Sequence, residues 1–250
     1  MNDVILMKLN EIEKNEDVRI IHVAESGSRA WGFAAPDADY DVRFIYVRQR
    51  DYYLKLEKTR DVIEWQQDEL LDINGWDLQK SLRLLHKSNP ALFEWNHSPV
   101  IYKTTDEWAF VQKIIDNYFL LKPGLYHYLS MAKSNYREYL KSDIVKLKKY
   151  LYVIRPILAC KWILNKKSPP PVLFMDLINS ELEDEMRPVI DNLLDQKINS
   201  PEKSMTKRID KLNEYIDLNI DSLKETIDSI PYDHKPDWKT LNEIFLSIIG

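Results

Sequence analysis

The sequence predicts an α+β fold, in which a small mixed β-sheet core with flanking helices over residues 1–100 precedes an α-helical domain over residues 101–250. Two observations lead to this prediction. In the first third of the chain, short runs of β-branched and aromatic residues are bounded by turn residues, which is typical of buried strands. From Trp76 onward, apolar residues recur every three or four positions, which is the spacing of amphipathic helices.

The first domain is predicted to contain, in order, a helix, a strand, a turn and three further strands. Ile5, Leu9 and Ile12 recur at helical spacing, and a run of β-branched residues follows as a buried strand. Small residues over 25–32 predict a turn that opens a short helix. The helix spans residues 4–15, and the strands span residues 18–24, 39–47, 61–66 and 70–74.

The rest of the chain is predicted to be helical. Within residues 143–164 the apolar positions fall on one helix face. Pro156 should kink or restart this helix, because proline has no N–H for the helical hydrogen bonds. Residues 168–171 are predicted to form a linker, since three of the four are prolines. The helices span residues 76–87, 90–95, 106–118, 126–141 and 143–164, and further helices run from Leu173 to the C-terminus.

The composition excludes several classes of protein. Hydrophobic residues make up 44% and charged residues 30% of the 250, which is ordinary for a soluble globular protein. The single cysteine, Cys160, allows no internal disulfide and no cysteine-based metal site. The sequence has neither an apolar run of the about 18 residues that a membrane span needs nor a signal-peptide pattern. We therefore expect a cytoplasmic protein without membrane attachment or an obligatory protein partner.

The charge is unevenly distributed. The net charge is −5, but residues 133–167 contain ten basic and two acidic residues. A local basic field can attract a polyanionic ligand. A solvated helix face gives the same pattern, and both interpretations stay open.

Two aspartates in the second predicted strand point to a metal site. Asp39 and Asp41 lie two positions apart on a predicted strand, so their side chains share one face. Two such carboxylates repel each other unless a cation lies between them. Carboxylate oxygens suit Mg²⁺, with Mn²⁺ as an alternative ion. The pair therefore predicts a divalent metal site.

The turn before these aspartates has the residues of a phosphate site. Gly27 lets the backbone approach a ligand closely, and Ser28 stands beside the N–H groups of a predicted helix start. Arg29 adds a planar set of donors suited to phosphate. A metal-binding strand that faces a phosphate-binding turn is what phosphoryl or nucleotidyl transfer requires.

A third carboxylate would complete a two-metal site. Asp72 lies on a short predicted strand and is the favoured candidate. There it would bind metal and accept the proton of the attacking hydroxyl. Asp77 is the alternative, although its place after Gly75 and Trp76 is more typical of a helix cap.

Basic and aromatic residues share faces on two predicted helices. Lys148, Tyr152 and Arg155 are four and three positions apart, and a similar cluster occurs over 133–137. These residues would hold a triphosphate or an RNA backbone, with the aromatic rings stacking on a base. The alternative is that the tyrosines belong to the core and that basic side chains extend past them to solvent.

Taken together, these motifs resemble a known family. A Gly-Ser turn, a spacer of ten residues, Asp-x-Asp and a later strand acid resemble the polymerase-β-type nucleotidyltransferase superfamily. Residues 25–33 and 39–43 resemble more closely the predicted nucleotidyltransferases of the RlaP or YcgL type, and the likeness extends to residues 71–77, 87–90 and 148–156.

The resemblance implies a Mg²⁺-dependent enzyme that moves a nucleoside monophosphate from an NTP to an acceptor hydroxyl, with an RNA end as one candidate. Gly27 and Ser28 match the phosphate-binding turn of the superfamily, Asp39 and Asp41 match its metal-binding pair, and Asp72 matches its third acid less closely. A nucleotide-binding regulatory or antitoxin-like module without turnover is the alternative.

Overall fold

The computed structural model describes residues 1–66 and 70–250, and it has the predicted α+β architecture. The described residues form two compact units. The first comprises Met1–Ala30, Asp39–Tyr118 and Lys235–Gly250, and the second comprises Trp31–Ala38 and Phe119–His234. A domain boundary near residue 100 stays a prediction, because compactness alone does not define a part that folds independently.

The first unit is built on a five-stranded sheet with the strand order β3-β4-β2-β1-β5. Strand β2 pairs in parallel with β4, and the other three pairings are antiparallel. The strands are β1 (Arg19–Glu25), β2 (Tyr40–Val47), β3 (Val62–Gln66), β4 (Leu71–Asp77) and β5 (Ile101–Thr104). The helices are α1 (Asn2–Glu16), α2 (Gly27–Ala30), α3 (Arg50–Tyr53), α4 (Leu78–His86), α5 (Pro90–Asn96), α6 (Asp106–Gln112) and α12 (Lys239–Ile249).

One hydrophobic cluster of the first unit lies between α1 and one face of this sheet. Helix α1 buries Ile5, Leu9 and Ile12, which are three or four residues apart and therefore share one face. They pack in one cluster with apolar side chains of the strands, among them Val42 and Ile73. The apolar residues that predict α1 thus pack against the apolar residues that predict the strands.

The second unit is helical apart from a small two-stranded sheet. Its largest core cluster is centred on α7 and α8, which bury apolar residues along most of their length. The helices are α7 (Leu121–Tyr139), α8 (Leu147–Lys166), α9 (Phe174–Glu181), α10 (Arg187–Ile198) and α11 (Asp210–Ser229), and the strands are β6 (Ile144–Lys146) and β7 (Met205–Lys207). None of the helices in the described ranges combines the length and the apolar character needed to cross a membrane.

Some element bounds differ from the predictions. Residues 144–146 form strand β6 rather than the first turn of a helix, because they pair with β7. Helix α8 then runs through Pro156 without ending there. Helix α7 begins at Leu121, five residues before the predicted start, with Pro123 in its first turn, where the missing N–H costs no helical hydrogen bond.

Candidate active site

The candidate site begins where β1 ends and the chain turns into α2. Gly27 has a φ of 61°, in the left-handed region that glycine adopts without strain. A Cβ added at Gly27 would lie 2.0 Å from Oδ2 of Asp41. The carboxylate of Asp41 therefore lies directly against this turn, and only a residue without a side chain leaves room for it. Ser28, the next residue, is buried.

Buried Glu25 connects the turn to the start of β2. Its Oε1 accepts a hydrogen bond of 2.9 Å from the backbone N–H of Asp41, and its Oε2 accepts one from the hydroxyl of Tyr102. The backbone N–H of Ser26 donates to the carbonyl of Asp41 at 2.8 Å. Burial raises the pKa of Glu25 above its ordinary value, and the two hydrogen bonds oppose that rise. The backbone of Asp41 is thus held on both its N–H and its C=O.

Arg43 brings two carboxylates together. Its Nη2 lies 2.8 Å from Oδ1 of Asp41 and 2.8 Å from Oδ2 of Asp72. Asp41 and Asp72 are direct partners in the parallel pairing of β2 with β4, and Arg43 lies two residues after Asp41 on the same face. Because both carboxylate oxygens lie 2.8 Å from the same nitrogen atom, the distance between them is at most twice that length.

Arg29 ties the turn to the segment that leads into β2. Its Nε donates to the carbonyl oxygen of Asp39 at 2.9 Å, and its guanidinium lies 3.7 Å from the centroid of the Tyr40 ring. Asp39 is exposed and precedes the first residue of β2. The first unit thus brings Asp41 and Asp72 together, and it holds Asp39 near the turn through its backbone.

Asp77 caps a helix. Its Oδ1 accepts from the backbone N–H of Gln79 at 2.7 Å, which caps α4, and its Oδ2 accepts from the hydroxyl of Tyr53 at 2.9 Å. The residue is 3% exposed. Both carboxylate oxygens are therefore engaged in hydrogen bonds that stabilise the fold.

We expect Asp77→Asn to remove a pH dependence of stability. Burial raises the pKa of Asp77 from 3.8 to about 6, while hydrogen bonds from Tyr53 and Gln79 oppose the rise. Between these pH values the folded state binds a proton that the unfolded state largely does not, so the free energy of unfolding falls by about 2 kcal/mol as pH rises from 4 to 6. Asparagine keeps the cap without the charge. Urea denaturation at pH 4, 5, 6 and 7 measures the free energy of unfolding of both proteins. The same dependence of that free energy on pH in the variant as in the unaltered protein would contradict the prediction.

The predicted residues of the basic helix lie in the second unit, on α8. The Nζ of Lys148 donates to Glu202 at 2.6 Å. Arg155 is 1% exposed, and its guanidinium lies 4.5 Å from the centroid of the Trp31 ring. The ring of Tyr152 meets the same Trp31 edge-on at 5.4 Å. Within this unit the three side chains pack and form an ion pair, and their assignment to a nucleotide stays a prediction.

The donor set fits a divalent cation held by two protein ligands. Asp41 and Asp72 offer carboxylate oxygens from adjacent strands, and their side chains are 24% and 42% exposed. They already converge on one positive charge, the guanidinium of Arg43. Mg²⁺ commonly takes one or two carboxylates and completes its coordination with water and substrate phosphate. In the part of the chain that the structure describes, no group of three or more His, Cys, Asp or Glu side chains is arranged to hold a metal ion.

Two residues of this site were missed by sequence reasoning. Arg43 follows the aspartates at the same spacing of two, so the pattern Asp39, Asp41, Arg43 already predicts that it shares their face of the strand. Glu25, in contrast, continues an apolar strand, and nothing local indicates that its partners are Tyr102 and the backbone of Asp41.

Known proteins resemble this chain over its full length. A model of the family described as "RlaP: RNA repair pathway DNA polymerase beta family" matches residues 1–247. YcgL of Bacillus subtilis strain 168, described as an uncharacterized protein, is 40% identical over 253 residues, which cover 100% of this chain and 96% of YcgL. A solved nucleotidyltransferase-like protein from Exiguobacterium sibiricum 255-15 is 13% identical over 96% of this chain and 77% of its own, with a TM-score of 0.32, too low to bear on the assignment.

Proposed function

Because the chain belongs to the RlaP family, an RNA repair pathway DNA polymerase beta family, we propose that it moves a nucleoside monophosphate from an NTP to an acceptor hydroxyl with two Mg²⁺ ions. An RNA end is the acceptor that the family description favours. The observation that carries the proposal is the position of the Asp41 carboxylate, which lies against Gly27 on one side and shares Arg43 with Asp72 on the other.

Each residue has a part in this reaction. Asp39, Asp41 and Asp72 would hold the ions, which supply charge neutralisation and polarise the phosphoryl oxygens. The turn over Gly27, Ser28 and Arg29 would position the phosphates of the NTP. The acceptor oxygen forms a bond to the α-phosphorus, the bond to the β-phosphate breaks, and pyrophosphate leaves.

The proton of the attacking hydroxyl has a nearby acceptor in this scheme. Asp72 is the more exposed of the paired carboxylates, so a substrate hydroxyl could reach it from solvent. Arg43 acts as a positioning residue, because it keeps Asp41 and Asp72 adjacent before an ion binds.

We expect Asp72→Asn to lower transfer at least about a hundredfold, since it removes both a metal ligand and the proton acceptor. The protein is incubated with each labelled NTP, MgCl₂ or MnCl₂, and an RNA with a free 3′ hydroxyl, and label transfer and pyrophosphate are measured. Asp77→Asn is the matched control, because it makes the same change on the same strand at a residue that caps a helix. Equal rates in both variants would contradict the assigned role of Asp72.

One observation favours a second function, nucleotide binding without turnover. Arg43 supplies a positive charge between Asp41 and Asp72, and no three-carboxylate metal group occurs within residues 1–66 and 70–250. A regulatory module of this kind would bind NTP with the same affinity in EDTA as in MgCl₂. Tight NTP binding without pyrophosphate release in either metal would establish it in place of the enzyme.

A further inference from the structure

The second unit has an open groove lined by α7 and α11, with a volume of about 670 Å³. Lys133 and Arg137 enter it from α7, Lys141 from the turn after α7, and Lys224 from α11. The groove is therefore bordered by positive side chains on both of its walls, in a protein whose net charge is −5.

Three of these cations have no ion-pair or hydrogen-bond partner among the residues that the structure describes. Lys133, Arg137 and Lys224 make no ion pair or hydrogen bond through their side chains with any residue in the described ranges. Lys148 and Lys197 of the same unit, in contrast, both pair with Glu202. Positive groups left unpaired around one concave surface repel each other, and an anionic ligand relieves that repulsion.

The acidic side chains of the groove do not neutralise these cations. Asp217 accepts from the hydroxyl of Tyr136 at 2.7 Å and lies 3.7 Å from Lys141. Asp228 accepts from the hydroxyl of Tyr126 at 3.1 Å. Four basic side chains line the groove against these two acidic ones, so an excess of positive charge faces it.

The spacing of the basic residues favours an extended nucleic-acid backbone over a single phosphate group as the ligand. Lys133 and Arg137 are four residues apart on α7, so their positions are separated by about 6 Å along the helix axis, and Lys141 follows in the turn after the helix. A row of this length can contact several phosphates of an extended backbone. Tyr126, a residue that is 41% exposed at the same groove, offers a ring on which a base can stack.

We propose that the groove between α7 and α11 binds the backbone of single-stranded RNA through Lys133, Arg137 and Lys224. The choice of RNA as the strand rests on the proposed function, whereas the choice of a polyanionic strand rests on the charges and their spacing. The groove would then hold the acceptor molecule through contacts that do not read its sequence.

The test is fluorescence anisotropy of a labelled single-stranded RNA of about 12 nucleotides, without NTP or metal, over a range of salt concentrations. The double variant Lys133→Gln/Arg137→Gln should bind at least about tenfold more weakly at low salt, and the slope of log K against log salt should fall by roughly 0.7 for each lost phosphate contact. Arg83→Gln/Lys87→Gln is the matched control, because it removes one exposed arginine and one exposed lysine four residues apart at the end of α4. This control should bind RNA as the unaltered protein does.

Two outcomes would overturn the inference: no RNA binding by the unaltered protein, or equal weakening in the groove variant and the control. Competition by free ATP as strong as that by the RNA strand would also overturn it, since a mononucleotide site would then explain the charges. A failure of this inference can be distinguished from a failure of the proposed function. Asp41→Asn should bind RNA as the unaltered protein does and should lose transfer activity. RNA binding by the unaltered protein without any transfer activity would support the groove as an RNA-binding site and contradict the proposed enzyme activity.

Discussion

Replacing Asp41 with asparagine should lower nucleotidyl transfer by at least about a thousandfold, the largest effect that we expect. Asparagine keeps the shape of the side chain and the backbone hydrogen bonds to Glu25 and Ser26. It loses the negative charge that faces Arg43 and that a divalent ion requires. A thousandfold corresponds to about 4 kcal/mol of transition-state stabilisation. Single-turnover transfer from labelled NTP measures it.

A second measurement separates metal binding from activity. Addition of MgCl₂ should raise the melting temperature of the unaltered protein, since a ligand that binds the folded state stabilises it, and should not raise that of Asp41→Asn. Asp61→Asn is the control, because it also breaks an ion pair, with Lys80 at 3.1 Å, outside the candidate site. Equal Mg²⁺ stabilisation of the Asp41 and Asp61 variants would contradict a metal-binding role for Asp41.

Gly27→Ala should both destabilise the protein and lower transfer at least about a hundredfold. Its Cβ would overlap Oδ2 of Asp41 at 2.0 Å, and a displacement of the Asp41 carboxylate would disturb its contact with Arg43. The φ of 61° adds backbone strain for alanine. Together these effects should lower the free energy of unfolding by about 2–4 kcal/mol. Urea denaturation and the transfer assay measure the two effects.

Gly32→Ala is the matched control for this substitution. Gly32 also has a positive φ, of 84°, but its added Cβ would meet only Cδ2 of Leu173 at 3.3 Å. We expect it to lose stability through backbone strain and to keep transfer activity. If both alanine variants lose activity to the same extent, general strain near the turn explains the effect and the contact with Asp41 does not.

The central elements of the sheet could be predicted because their signals are local. The β-branched runs of β1 and β2 are buried in the core, and residues 71–74 carry the alternation of a half-buried strand. Strand β5 was missed, since its four residues are exposed or half-buried and have no apolar run. Strand β6 was missed because its partner, β7, lies about sixty residues later in the chain. Pairing with so distant a segment produces no recognisable pattern in a strand of three residues.

The candidate site was predictable where strand periodicity governs it. Spacing of two predicts Asp39 and Asp41 on one face, although β2 begins only at Tyr40, and only the sheet register shows that Asp72 is the direct neighbour of Asp41. The burial of Arg155 could not be foreseen from its own helix. The ring that covers its guanidinium belongs to Trp31, more than a hundred positions earlier in the chain.

The parallel ladder between β2 and β4 also determines which changes of length this protein tolerates. Buried and half-buried residues alternate strictly along β4 from Leu71 to Asp77. Deleting or inserting one residue inside that strand would exchange the two sets, exposing Leu71 and Ile73 and turning Asp72 into the hydrophobic interior. Evolution can therefore replace individual side chains along this strand far more readily than it can alter the number of residues in it.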